Sequence, residues 1–305
     1  MIAVVAGGAD AARYLSGLLS VVDPSTVTAV VNTGDDVWMH GLRVCPDLDT
    51  CTYTLAGAND AERGWGLAGE TWQAMASLRR YDEGRAWFNL GDLDIGTHLF
   101  RTGRLAEGAS LSDVTAEIAA AWGLGLRLLP MTDDRVETRV TTADGEIGFQ
   151  EYFVRHRHGI PVTGVRFDGI DTARPAPGVL EALEAAERVV IAPSNPIVSI
   201  GPVLAVAGVR DRLAARRDTV VAVSPIVGGA ALKGPADRML AELGHDVSVV
   251  GVARLYAEVC GTLVVDTVDA DLAPEVEAAG VRCVVTDTVM SSPEVAASLA
   301  KATLA

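Results

Sequence analysis

Apolar positions in this chain fall into short unbroken runs more often than they alternate with polar ones. The clearest runs span 2–6, 27–31, 188–192, 219–223, 247–250, 262–265 and 281–285, and β-branched residues dominate them. A continuous apolar run of strand length implies a strand covered on both faces. Between several of the runs lie Ala-, Leu- and Glu-rich stretches with helical spacing, at 11–21, 178–187, 235–243, 272–279 and 293–303. Strand and helix in alternation predict an α/β fold, Rossmann-like and doubly wound, with a mainly parallel sheet. Such sheets take ligands in the crevice at the carboxyl ends of their strands.

The middle of the chain breaks this rhythm. Residues 65–79 and 110–122 read as helices. Within 135–168, Val136 to Val140, Phe149 to Val154 and Val162 to Phe167 read as strands, with an Asp-Gly hairpin signal at Asp144-Gly145. His156 and His158 alternate on a polar strand edge beside Arg155 and Arg157. The expected division is a core of 1–64 and 173–305 with an inserted α+β region at 65–172.

Four aspartates crowd the stretch after the second run. Asn32-Thr33-Gly34-Asp35-Asp36 follows it directly, and Pro46-Asp47-Leu48-Asp49-Thr50 comes after a short excursion. Carboxylates this close repel one another, so solvent, a divalent cation or a basic neighbour must offset the cost. A solvated loop also accounts for them, because Asn, Asp, Gly and Pro are turn residues.

Other run ends carry candidate chemistry. The first run ends in Gly7-Gly8-Ala9-Asp10, with Arg13 beyond. Glycines there let a backbone approach phosphate at a helix N-terminus, whereas Asp10 argues against an anion. The run at 188–192 leads into Pro193-Ser194-Asn195-Pro196, a stiff polar loop suited to a base or a phosphate. The run at 219–223 leads into Ser224, Gly228, Gly229 and Lys233, a glycine-rich loop without the G-x-x-x-x-G-K-[ST] pattern. Asp94 reads as a helix cap and His98 as a helix-face residue. No Ser-His-Asp arrangement is legible.

Composition narrows the classes. A net charge of −15 over 305 residues, with a pI near 4.7, argues against a nucleic-acid partner. Cys45, Cys51, Cys260 and Cys283 form no C-x-x-C pair, which disfavours zinc. No apolar run is long enough to span a membrane, so a soluble cytoplasmic protein without a membrane partner is expected.

In their order along the chain, these segments resemble the 2-phospho-L-lactate transferases (CofD/FbiA type) of deazaflavin coenzyme biosynthesis. The resemblance rests on Val31 to Asp36, Pro46 to Thr50, Gly64-Trp65-Gly66, Glu70-Thr71-Trp72, Leu90-Gly91-Asp92 and Leu129 to Asp134. Phe149 to Tyr152, Pro193 to Pro202, Ser224 to Pro235 and Asp287 to Met290 extend it over roughly 2–303. It implies transfer of a phospholactyl or phosphoenolpyruvyl group from a guanosine-diphosphate-activated donor to the terminal ribityl hydroxyl of the deazaflavin Fo. GMP leaves and (dehydro) coenzyme F-420-0 forms. It also implies Mg²⁺ and a homodimer.

By the same resemblance Asp49 and Asp36 are catalytic and lie with Asn89 at Fo. Asp35, Asp36, Asp47 and Asp49 are the metal candidates. Gly7, Gly8, Arg13, Ser194, Asn195, Ser224, Gly228, Gly229 and Lys233 would hold nucleotide and phosphate. One departure stands out: the family's first loop resembles Gly-Gly-x-Gly, and here Asp10 replaces the third glycine. Trp38, Trp65, Trp72 and Trp87 suit a site for a flat ring. A nucleotide-sugar-binding regulator of the related gluconeogenesis-factor type is the alternative, needing the glycine loops but no Fo pocket. A dehydrogenase is disfavoured, because the first loop lacks G-x-G-x-x-G.

Overall fold

Seven strands form one parallel sheet in the computed structural model, which describes residues 1–305 except the side chain of Arg85. The strands in chain order are β1 Ile2–Ala6, β2 Val27–Val31, β3 Val37–Met39, β4 Leu42–Val44, β5 Arg127–Pro130, β6 Glu137–Thr142 and β7 Gly145–Gly148. They continue with β8 Gly164–Asp168, β9 Arg188–Ile191, β10 Val220–Val223, β11 Ile226–Val227, β12 Ala230–Ala231, β13 Thr262–Val265 and β14 Arg282–Val285. The main sheet runs β14-β13-β10-β9-β1-β2-β5. The chain winds outward in one direction from β1 through β2 to β5, and in the other from β9 to β14. The order therefore reverses between β1 and β9, the position where a doubly wound sheet opens its ligand crevice.

Side-chain alternation on these strands feeds two cores. Val4, Ala6, Ala29 and Val31 pack on one face against helix α1 (Gly8–Leu19), helix α2 (Pro46–Leu55) and the C-terminal helix Pro293–Leu304. Ala3, Val5, Val30 and Ile191 pack on the other against helices Val179–Ala185, Val209–Ala214 and Val249–Tyr256. Burial on both faces is why the strands read as unbroken apolar runs. Gly17 allows α1 to lie directly on the C-terminal helix: a Cβ there would meet the Ala296 backbone at 2.5 Å.

Several local expectations are corrected. The run at 247–250 begins helix Val249–Tyr256 and is no strand. The Ser248 side chain accepts from Gly251 N at 3.1 Å and caps that helix. Val249, Val250, Val252 and Ala253 are all buried, so the helix shows no polar stripe to betray its period. The stretch from Phe149 to Val154 is also no strand: it enters a π-helical turn at Glu151–Arg155, and β6 pairs with β7 and β8 instead. His156 and His158 consequently lie beyond that turn, away from any strand edge.

The stretch 65–172 also contributes to the main sheet. Arg127–Pro130 forms β5 and pairs with β2 from Thr28↔Arg127 to Val31↔Pro130. The rest of the stretch holds helices α3 (Gln73–Leu78), α4 (Asp92–Ala106) and α5 (Leu111–Ala121) and the antiparallel sheet β7-β6-β8. Among the described residues, no helix is long and apolar enough to cross a membrane.

Candidate active site

A cavity of about 620 Å³ opens at the switch point. Gly7 reaches it from the end of β1, Asp10 from the first turn of α1, Asp35 from the loop after β2, and Asp47 and Asp49 from α2. Ser194 and Asn195 come from the end of β9, and Lys233 from the loop before helix Ala236–Glu242. Asp47 and Asp49 therefore sit in the first turn of a helix and not in a loop. Pro46 starts that helix, and its free N-terminal N–H groups favour acids in the first turn.

Asn32 organises the acids. Its Nδ2 donates to Asp35 Oδ2 at 3.1 Å and to Asp47 Oδ2 at 3.0 Å, while its Oδ1 accepts from Gly34 N at 2.8 Å. Burial pushes the Asp35 pKa well above the usual carboxylate range, and the neighbouring Asp47 charge adds to it. Burial pushes Asp47 up to about 6, against hydrogen bonds from Asn32 and the Gly8 backbone. Among the described residues Asp35 Oδ1 makes no well-formed hydrogen bond, although the nearby Thr138 hydroxyl lowers its pKa. Two adjacent buried carboxylates, one with an unfilled lone pair, fit a hard divalent cation that prefers oxygen ligands.

Asp36 and Asp49 have different surroundings, because an arginine holds each of them. Asp36 Oδ2 accepts from Arg43 Nε at 3.2 Å and Nη2 at 2.8 Å, and from Cys45 Sγ at 3.0 Å. Asp36 lies outside the cavity lining. Asp49 lines the cavity and forms a two-pronged ion pair with Arg101, Nη1 lying 3.1 Å from Oδ2. Behind it, Arg101 Nη1 lies 3.2 Å from His98 Nδ1, His98 Nε2 lies 3.2 Å from Asp94 Oδ2, and Tyr53 donates to Asp94 Oδ1 at 2.6 Å. Burial raises the Asp94 pKa, but His98 and Tyr53 outweigh it and hold Asp94 below the usual range. Asp49, Asp94 and His98 offer a metal-type ligand set. Arg101 supplies positive charge to Asp49 there, while among the described residues His98 Nε2 makes no well-formed hydrogen bond. His98 is a buried residue of α4 that also lines the cavity.

An aromatic wall closes one side of the cavity. Trp65, Trp87, Phe88 and Asn89 line it, and Asn89 Oδ1 accepts from Arg79 at 3.0 Å. Arg63 lies 4.9 Å from the Trp65 ring centre and 5.1 Å from that of Trp72. Trp72 stands behind Trp65, and Trp38 is exposed away from the cavity. Glu70 anchors this wall to α4, its carboxylate accepting from Leu93 N and Asp94 N at 2.8 Å each. A Cβ at Gly91 would collide with that carboxylate. Gly91→Ala therefore should cost about 1–3 kcal/mol, the worth of hydrogen bonds to a charged group. A denaturant midpoint equal to wild type would show that Glu70 does not hold the helix.

The glycine loops divide. Gly7, Gly8, Ser194, Asn195 and Lys233 line the cavity, whereas Arg13, Ser224, Gly228 and Gly229 do not. Ser224 Oγ is bonded locally to Ile226, and Gly228 N donates to Asp269 Oδ2 at 2.9 Å. The α1 N-terminus is also engaged by protein carboxylates: Gly8 N bonds Asp47, and Asp10 sits in the first turn. Burial raises the Asp10 pKa, partly offset by Arg13 and Lys233. Sequence reasoning assigned no role to Arg101, which is 52 residues from its carboxylate partner, or to Asn32, although Asn32 stands in a quoted motif.

A carboxylate-lined crevice at the switch point of a doubly wound sheet defines an α/β enzyme acting on a small molecule. The chain belongs to the 2-phospho-L-lactate transferase CofD family, which it matches over residues 2–301. It is 46% identical to the phosphoenolpyruvate transferase of Kitasatospora aureofaciens over 310 residues, covering 100% of this chain and 97% of that one. It is 41% identical to the phosphoenolpyruvate transferase of Mycobacterium avium over 330 residues, covering 99% and 97%. The crystal structure of protein BH3568 from Bacillus halodurans shares the fold, with a TM-score of 0.65, 16% identity, and coverage of 100% and 99%. The chain is thus a transferase of coenzyme F-420 biosynthesis, and the non-catalytic regulator is not favoured.

Proposed function

We propose that the enzyme moves a phosphoenolpyruvyl or phospholactyl group from a guanosine-diphosphate-activated donor to the terminal ribityl hydroxyl of Fo. The hydroxyl oxygen bonds to the phosphorus that carries the three-carbon acid. The bond from that phosphorus to the bridging oxygen of GMP breaks, and the hydroxyl proton is released. The observation that carries this reading is one cavity lined by a flat-ring wall, paired carboxylates and a lysine.

Asp35 and Asp47 would hold Mg²⁺, which when bound neutralises diphosphate charge. Asp49, fixed by Arg101, orients the attacking hydroxyl from the side of Trp87 and Asn89. Lys233 faces the departing phosphate, and Asn195 and Ser194 hold the loop beside it. Asp36 acts at one remove: its pairing with Arg43 braces the loop that carries Asp35. Alignment of the hydroxyl with the phosphorus is the main task left to the protein, because phosphoryl transfer needs positioning and charge compensation more than covalent help.

Titration of the protein with Fo, followed by Fo fluorescence with and without Mg²⁺ and GDP, tests the reading. Saturable binding in the micromolar range is the expected result. No binding under any condition would move the assignment to another acceptor.

A further inference from the structure

Helix α4 presents Asp94, His98 and Arg101 on one face, four and three residues apart. Asp94 and His98 line the cavity, and Arg101 grips Asp49. His98 is the middle member and is 1% exposed, so its neighbours and not solvent decide what its ring does.

The neighbours fix the direction of each contact. A guanidinium has N–H donors and no acceptor. His98 Nδ1, 3.2 Å from Arg101 Nη1, can therefore only accept, and the ring proton sits on Nε2. Nε2 lies 3.2 Å from Asp94 Oδ2, whose charge attracts that N–H although no well-formed bond is made. Tyr53 holds the other Asp94 oxygen at 2.6 Å. Arg101 Nη1 carries two hydrogens and has three acceptors in reach: Asp49 Oδ2 at 3.1 Å, His98 Nδ1 at 3.2 Å and the Arg43 carbonyl at 3.3 Å. Arg101 Nε has no partner among the described residues. The angle at which the fork meets Asp49 thus depends on what His98 takes.

The first turn of the same helix is tied to the aromatic wall. Glu70 accepts from Leu93 N and Asp94 N, and Ile95 packs in the cluster that holds Trp87 and Phe88. One rigid element therefore carries the wall near its start and the arginine of Asp49 further along. His98 stands between them, facing Asp94 with one nitrogen and Arg101 with the other. A flat acceptor seated on the wall meets Asp49 at a distance that this helix sets.

We propose that His98 is a positioning residue of the transfer: by accepting from Arg101 and facing Asp94, it sets the angle of the Arg101 fork and so places Asp49 relative to the aromatic wall. This rests on the acceptor reading given above. A group misplaced by about 1 Å costs about a hundredfold in rate. The affinity of a ring seated elsewhere on the wall is untouched by that misplacement.

Substitutions that separate the two ring nitrogens test it, on the full-length protein with Mg²⁺ present. His98→Asn keeps an acceptor near the Nδ1 position, whereas His98→Gln places its amide near Nε2 and leaves Arg101 without that acceptor. With Fo and the guanosine-diphosphate-activated donor, kcat should fall about ten- to a hundredfold in His98→Gln and stay within about threefold in His98→Asn. Fo affinity, read by fluorescence, should be unchanged in both. Equal kcat in the two variants, or an Fo affinity that falls by the same factor as kcat, overturns the positioning role. Nitrogen NMR of histidine-labelled wild type should show His98 with a bare Nδ1 and a protonated Nε2, and the reverse tautomer also overturns it. That measurement needs no variant, so it decides even where a variant fails to fold. Wild-type protein that shows the expected tautomer but transfers nothing to Fo overturns the transferase reading instead.

Discussion

Arg101→Met is expected to destabilise the protein by about 3–5 kcal/mol, the cost of leaving one member of a buried ion pair alone. Arg101 is 1% exposed and Asp49 is 5% exposed, so water cannot take over the lost contacts. The substitution also removes a donor from the Arg43 carbonyl, 3.3 Å away, and from His98 Nδ1. Methionine fills much of the arginine's volume, so the loss is electrostatic more than a matter of packing. Adding Asp49→Asn should restore most of the stability, because the stranded charge is then gone. Denaturant midpoints of the two single variants and the double variant measure the coupling. A loss under about 0.5 kcal/mol, within the usual range for surface changes, would show that the pair is not what holds this cluster together.

The physics of that pair also explains which parts of the site were legible in sequence. The four aspartates are visible as a cluster because Asp35, Asp36, Asp47 and Asp49 lie close in the chain. Their division into two acids held by Asn32 and two held by arginines is not visible. Asp49 depends on an arginine 52 residues away, brought in by the packing of α4 beside α2. Arg43 is only seven residues from Asp36, but the β3–β4 hairpin has to turn it back. Asp10 was legible as an obstacle to an anion at α1. That Gly8 N is already given to Asp47 depends on α2 meeting α1, a contact the sequence does not announce.

The fold shows a similar split. Strands β1, β2, β9, β10 and β13 were legible because burial on both faces leaves an unbroken apolar run, and the part-exposed edge strand β14 was legible from its valines. β5 was missed because Leu128 and Leu129 are flanked by Arg127 and Pro130, which read as the end of a loop. Val249–Tyr256 was misread for the opposite reason, since a helix buried on several sides has the same apolar run as a strand. At Phe149 to Val154, aromatic and β-branched residues favour a strand. Tertiary packing of Phe149 and Tyr152 with Val198 and Met239 favours the turn instead.

Asp47→Asn should move activity and stability in opposite directions. Activity should fall about a hundredfold or more, the scale seen when one preorganised electrostatic contact to a reacting group is lost. Stability at pH 8 should rise. The folded protein holds the Asp47 proton up to about pH 6, whereas an unperturbed carboxyl loses it near 3.8. Between those values the folded state binds more protons than the unfolded state, so stability falls as pH rises through that window and stays low above it. A shift of about two units corresponds to about 3 kcal/mol as an upper bound, since Asp35 shares the same proton balance. Asparagine keeps an oxygen for Asn32 and the Gly8 N–H but carries no charge, so that cost disappears. Wild type and variant should therefore melt together near pH 4 and separate at pH 8, with the variant higher. Mg²⁺ should close the gap at pH 8 by raising the wild type alone. A variant that melts lower at pH 8 and keeps full activity would show that Asp47 is a structural acid. The opposite pattern would mean that this acid is held in an unfavourable place because the reaction needs its charge there.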